Sequence, residues 1–236
     1  MSNSTHAAIK LWSKLKLPAN FKPKSKFGIK SKYGTIFETN GNKIMKIMPW
    51  SNNAEREMRI AKIAGNKNVG PKVYKTRVWT PPSNLDDADR DIISSFSNKM
   101  RNSKIAVIVM DKVPRAKSLY NAINNGTVKN FSTVENIIKR MHAAGIHHGN
   151  LHGNNILVYV TNSGNLKFVP INFGASNYSR TITNVKSARN YVSRMPGISG
   201  NGEPYYFAMG RAQFITSNHN SIRHLREYFT KKSRES

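Results

Sequence analysis

The chain has 236 residues, enough for one large domain or two small lobes with a sizeable core. It holds no cysteine, so disulfides and thiolate chemistry are excluded, and 38 basic against 12 acidic side chains give a net charge of +26. No apolar run reaches the roughly 18 residues of a membrane-spanning helix, and the start, Met1 to His6, lacks the charged-then-apolar form of a signal peptide.

The charge is spread rather than held in a tail. Residues 1–111 carry 21 basic and 8 acidic side chains and residues 112–236 carry 17 and 4, so each half holds +13. A field of that sign attracts nucleic acid, an anionic lipid surface or an acidic protein, and it costs self-repulsion where nothing meets it. The plainer reading is a solvated lysine-rich surface.

Residues 1–26 contain six lysines and no acid. Leu11, Trp12, Leu15 and Leu17 predict a short amphipathic helix at about 5–17, and Pro18 and Pro23 end it and favour an extended arm up to residue 26. Such an arm can dock on the body or reach a partner. Phe27 to Phe37 and Ile44 to Met48 read as strands around Asn40-Gly41, a two-residue hairpin signal. A helix is expected from Asn53 to about Ala64, apolar at Met58, Ile60, Ala61 and Ile63, with Gly65 at its end. Gly70 to Trp79 opens another strand.

Four of the five aspartates, Asp86, Asp87, Asp89 and Asp91, fall in an inserted segment at 80–104. They predict a helix that carries its acids at the N-terminus, where the dipole favours them. Ile105 to Met110 reads as a buried strand, Asp111 to Pro114 as a connector, and 117–125 as a polar helix. Ser132 with Glu135 is a capping-box pattern ahead of Val134, Ile137, Ile138 and Met141 at helical spacing. Further helices are expected near 185–194 and 217–231.

The most informative stretch is His148-Gly149-Asn150-Leu151-His152-Gly153-Asn154-Asn155, a Gly- and Asn-rich loop feeding the apolar run Ile156 to Val160. A turn at Asn162 to Asn165 and a second apolar run, Leu166 to Ile171, make a hairpin that ends in Asn172-Phe173-Gly174. This resembles the catalytic loop, H-x-D-L-x-x-x-N, and the metal-binding turn, D-F-G, of the protein-kinase family. In both motifs an asparagine stands where the family has aspartate.

The resemblance runs from about residue 27 to 176 and implies an α+β, two-lobed protein-kinase-like fold. The N-lobe would span 27–114, with the 80–104 insertion and a basic arm at 1–26 ahead of it. The shortened helical C-lobe would span 115–236. By resemblance Lys46 is the strand lysine that meets nucleotide phosphates, and Glu57, with Glu55 second, is the helix carboxylate that holds it. Of the glycine-rich loop only Gly34 remains, with Ile29 and Ser31 in the other two places. Met110 to Val113, including Lys112, matches the connector against which adenine bonds. Asn150 takes the place of the catalytic aspartate. Asn155 and Asn172 take the two metal positions, and His148 is the loop's structural histidine.

The two replacements decide the expected enzymology. A carboxamide has no ionisable group to act as a base, and it offers one neutral oxygen to a magnesium ion that prefers carboxylates. No aspartate occurs beyond Asp111, and the only acids in that half are Glu135, Glu203, Glu227 and Glu235. The expectation is therefore a pseudokinase that requires neither ATP nor magnesium, with a structural or docking role in a larger assembly. Small kinase-like proteins of large DNA viruses look similar, some of them parts of the particle, so the expected setting is intracellular: the cytoplasm or a virion. Two alternatives stand beside it, an ATP-dependent Ser/Thr kinase and a basic nucleic-acid-binding protein. Among His142, His147, His148 and His152, His148 and His152 are four apart but in a turn rather than on a helix, and no cysteine or nearby carboxylate completes a zinc site.

Overall fold

A continuous apolar run, Ile105 to Met110, forms a strand buried on both faces in the interior of the first sheet. The computed structural model describes residues 3–31, 34–97, 104–129, 132–178, 225–227 and 230–231. The chain forms two compact units, Met1–Lys62 with Pro71–Lys112, and Ile63–Gly70 with Val113–Ser236.

In the first unit β1 (Pro23–Ser31), β2 (Gly34–Thr39), β3 (Lys43–Pro49), β4 (Val73–Trp79) and β5 (Ile105–Asp111) form an antiparallel sheet in the order β1-β2-β3-β5-β4. On β5 the odd residues Ile105, Val107 and Val109 join one apolar cluster, and Ala106, Ile108 and Met110 join another. Helix α2 (Asn52–Asn66) supplies Ala54 and Met58 to the second cluster. Its first turn is capped by Ser51, whose Oγ accepts from the Ala54 N–H at 3.1 Å.

The opposite face is covered by α1 (Asn3–Lys14) and α3 (Asp87–Phe96). Ala7, Ala8 and Leu11 of α1 meet Ile92 and Phe96 of α3 over Phe37, Met45, Ile47 and Trp79 of the sheet. The N-terminal segment thus packs on its own unit, and Leu17 and Phe21 beyond the helix are buried in the same cluster. The acids of α3 are the partners of the α1 lysines. Asp86 caps α3 in a reciprocal box with Asp89. Lys14 bonds Asp86 at 2.8 Å and Asp89 at 2.9 Å, while Lys10 pairs with Asp91. The hydrogen bond to Asp86 raises the Lys14 pKa, and the same bond lowers that of Asp86.

Two turns differ from expectation. The β2–β3 connection has three residues, with Asn42 rather than Gly41 in the left-handed region at φ 54°. Gly41 is needed for another reason: its N–H bonds the Asn20 carbonyl at 2.7 Å, and a Cβ there would lie 2.8 Å from that oxygen. Gly65 does not end α2, which runs on to Asn66.

In the second unit β6 (Lys117–Ser118), β8 (Ile156–Val160) and β9 (Leu166–Pro170) form a sheet in the order β6-β8-β9. Strand β7 (Ile146–His147) pairs with β10 (Asn177–Tyr178). Ser118 caps α4 (Leu119–Asn124), and α5 (Ser132–Ala143) buries Val134, Ile137, Ile138 and Met141 at the expected spacing. The helix expected at 185–194 lies outside the described residues, and of 217–231 the described residues 225–227 and 230–231 are helical. The fold is mixed α+β. No helix among the described residues is long and apolar enough to cross a membrane.

Candidate active-site loop and the lysine–glutamate pair

In the first unit, β3 turns Lys46 toward the face that α2 covers, where it lies opposite Ile36 and Ile108 in register. From α2, Glu57 points back, and its Oε1 lies 2.5 Å from Lys46 Nζ. Both side chains are buried, at 3% and 6% exposure, so the pair is shielded from solvent. Glu55, the alternative partner, is exposed. A buried ion pair of this kind is specific in geometry rather than a large net source of stability.

The other residues matched to nucleotide binding are held by neighbours within the same unit. Gly34 has φ +150°, and a Cβ on it would lie 2.4 Å from the Ile47 carbonyl oxygen, so close strand packing alone demands glycine here. Met110 is buried with Met48, Met58 and Ile108. Lys112 pairs with Glu38 at 2.6 Å. Beside it Asp111 accepts from Lys43 at 2.8 Å and from the Tyr74 hydroxyl at 2.9 Å. Lys43 also stands 4.5 Å from the centre of the Tyr74 ring. Nothing in the sequence marks this cluster, because its members come from three strands and meet only through sheet order.

In the second unit the loop at 148–155 and the turn at 172–176 are tied at several points. His148 is buried, and its Nε2–H donates to the Ile171 carbonyl at 2.7 Å, which fixes the tautomer. Burial pushes its pKa down from 6.5 to about 4, partly opposed by that carbonyl, so the ring is neutral at pH 7. The His148 ring also lies against Phe173, with centroids 5.3 Å apart. Ser176 Oγ donates to the His148 carbonyl at 3.0 Å, and the Ile171 N–H donates to the Asn155 carbonyl at 3.0 Å.

The three asparagines lie within this frame. Asn155 is buried; its Nδ2 donates to the Asn150 carbonyl at 2.8 Å and approaches His152 Nε2 at 3.0 Å. His152 Nδ1 also faces the Asn154 N–H at 3.3 Å; a neutral imidazole accepts at one nitrogen, so these two bonds alternate. Asn172 sits in the left-handed region at φ 64°, ψ 61°, a conformation asparagine adopts more readily than most residues. Its Nδ2 donates to Asn155 Oδ1 at 2.7 Å. The side chains matched to the metal positions therefore bond to each other. Gly70, of the same unit, packs so close to Phe173 that a Cβ would lie 3.1 Å from the ring. His142 and His147 have ring centroids 5.4 Å apart, and no cluster of metal-ligating side chains occurs among the described residues.

The model of the lipopolysaccharide kinase (Kdo/WaaP) family matches residues 91–191, a stretch that contains the loop, the hairpin and the Asn172 turn. No curated protein matches the chain. Among solved structures the chain is similar to WaaP in complex with acyl carrier protein. The identity is 13%, the TM-score is 0.46, and the match covers 90% of this chain and 89% of that one.

Proposed function

We propose that this is a kinase-fold protein that does not transfer phosphate and acts as a structural or docking component, held to an acidic partner through its basic surface. One observation carries the reading. The scaffold of the loop is complete, from the His148–Ile171 bond to the Ser176–His148 bond, yet Asn150 and Asn172 fill both acid positions. A proton acceptor and a charged metal ligand are the two parts that phosphoryl transfer requires of these positions, and an amide supplies neither. The likeness to small kinase-like proteins of large DNA viruses suggests the virus particle as the setting.

The docking surface is supported by where the acids lie. Asp86, Asp89 and Asp91 meet α1, Glu38 meets Lys112, Glu57 meets Lys46, Asp111 meets Lys43, and Glu135 meets Lys139 and Arg226. None of these seven carboxylates is paired with the exposed Arg56, Arg59 and Lys62, which recur at three-residue spacing along α2. Binding of the full chain to anionic vesicles, to duplex DNA and to polyglutamate should be measured across a salt series. At least one should bind with an affinity that falls steeply with salt, and Arg56→Glu/Arg59→Glu/Lys62→Glu should weaken it about tenfold or more, roughly the 1.4 kcal/mol expected of a few surface charge contacts. Binding indifferent to ionic strength would mean that the charge is only a solvated face.

A second reading, an ATP-dependent kinase, is favoured by the buried Lys46–Glu57 pair and by the match to a family of lipopolysaccharide kinases. The two readings part on whether the purified chain moves the γ-phosphate of ATP.

A further inference from the structure

We infer that the Asn155–Asn172 bond takes the place of a divalent cation, clasping the loop at 148–155 to the turn at 172–176 so that the second unit keeps this geometry without metal. Kinase-like folds imply magnesium at these two positions, and the side chains present do not suit it. Asn155 can offer the metal only its Oδ1, because its Nδ2 is directed at the Asn150 carbonyl. That single oxygen already accepts from Asn172 Nδ2 at 2.7 Å. The donor set is thus neutral throughout, and one member presents an N–H where a cation would need an oxygen.

The same geometry explains why asparagine suits position 172. Asn155 is 4% exposed, and a buried carbonyl oxygen needs a donor. An aspartate at 172 would turn an acceptor toward that oxygen, and two facing acceptors need a proton or a cation between them. The asparagine amide supplies the hydrogen itself. Its left-handed backbone, at φ 64°, is tolerated by asparagine and glycine, so the conformation and the clasp can be separated by substitution.

The inference rests on the non-catalytic reading of the site but concerns metal alone, so it is tested without nucleotide. Melting of the full-length chain should be monitored in EDTA and in excess magnesium or manganese, for the natural sequence, Asn172→Gly and Asn172→Asp. Hydrogen exchange at the Ile171 amide, which bonds the Asn155 carbonyl, gives a local readout in each. The natural chain should melt and exchange identically in both conditions. Asn172→Gly should melt about 2–4 °C lower in both, the shift expected when roughly one hydrogen bond is lost from a chain of this size. Asn172→Asp should match that loss in EDTA and regain it with the divalent ion. If Asn172→Asp folds in neither condition, Asn172→Gly and the natural chain decide. Stabilisation of the natural chain by magnesium alone overturns the inference, as does unchanged melting and exchange in Asn172→Gly. So does an Asn172→Asp variant that folds but is indifferent to metal. Failure of these melts leaves the absence of phosphate transfer untouched, and detection of transfer would leave the metal-free behaviour of the natural chain measurable.

Discussion

Three buried ionisable groups, the Lys46–Glu57 pair and His148, determine how the site residues behave. Lys46 and Glu57 lie together out of solvent, so removing one partner strands the other's charge. Lys46→Ala should destabilise the chain by about 3–5 kcal/mol, whereas Lys46→Met/Glu57→Leu should be close to neutral. Urea unfolding of the three proteins checks this, and equal losses in both variants would show that the pair contributes net stability. His148 gives a pH signature. Its pKa is about 4 in the folded chain against the ordinary 6.5, so on acidification the unfolded chain takes up the proton first. The neutral ring's contribution is complete above pH 6.5 and is lost as pH falls toward 4, by roughly 3 kcal/mol in all. His148→Gln keeps a donor near the Ile171 carbonyl and should flatten the acid limb of the stability curve over that window. An unchanged limb would assign the acid sensitivity elsewhere. Lys46 and Glu57 were legible in the sequence because a strand and the helix after it are neighbours by connectivity. The Asn155–Asn172 bond was not, because it depends on a left-handed backbone at 172 and on how the Asn155 amide is turned.

At the level of elements, strand alternation and helical spacing located nearly every segment, and the N-terminus was the least legible. Its lysines look like a solvated arm because no acid is near them in sequence. Their partners Asp91 and Asp86 lie 81 and 72 residues away, and only the fold brings them to α1. The ion pairs themselves are exposed and contribute little; the apolar face of Ala7, Ala8 and Leu11 does most of the holding. Deleting residues 1–26 would uncover Phe37, Met45, Ile47 and Trp79 and remove the first residues of β1. An arm that only reached a partner could be removed without unfolding the body. Burial argues the reverse, and Leu11→Ala alone should cost about 2–5 kcal/mol. Circular-dichroism melts of both variants test it, and a truncated chain that melts like the full one would return the segment to the status of an arm.

Across the whole molecule, the order of strands, helix, loop and hairpin resembles that of the protein-kinase family, while asparagine stands at positions 150 and 172. The 38 basic against 12 acidic side chains create a field that attracts anionic partners, as the proposed docking role requires. The element order and the two asparagines were plain in the sequence at this scale. The side of the sheet that α1 and α3 cover was hidden, because it depends on contacts between segments far apart in the chain. The most direct measurement is phosphate transfer from [γ-³²P]ATP with magnesium by the purified natural chain, beside Asn150→Asp/Asn172→Asp and Lys46→Ala. The account predicts no incorporation or ATP turnover by the natural chain above that of Lys46→Ala, and any activity only in the doubly substituted protein. Turnover by the natural chain that Lys46→Ala abolishes would contradict it.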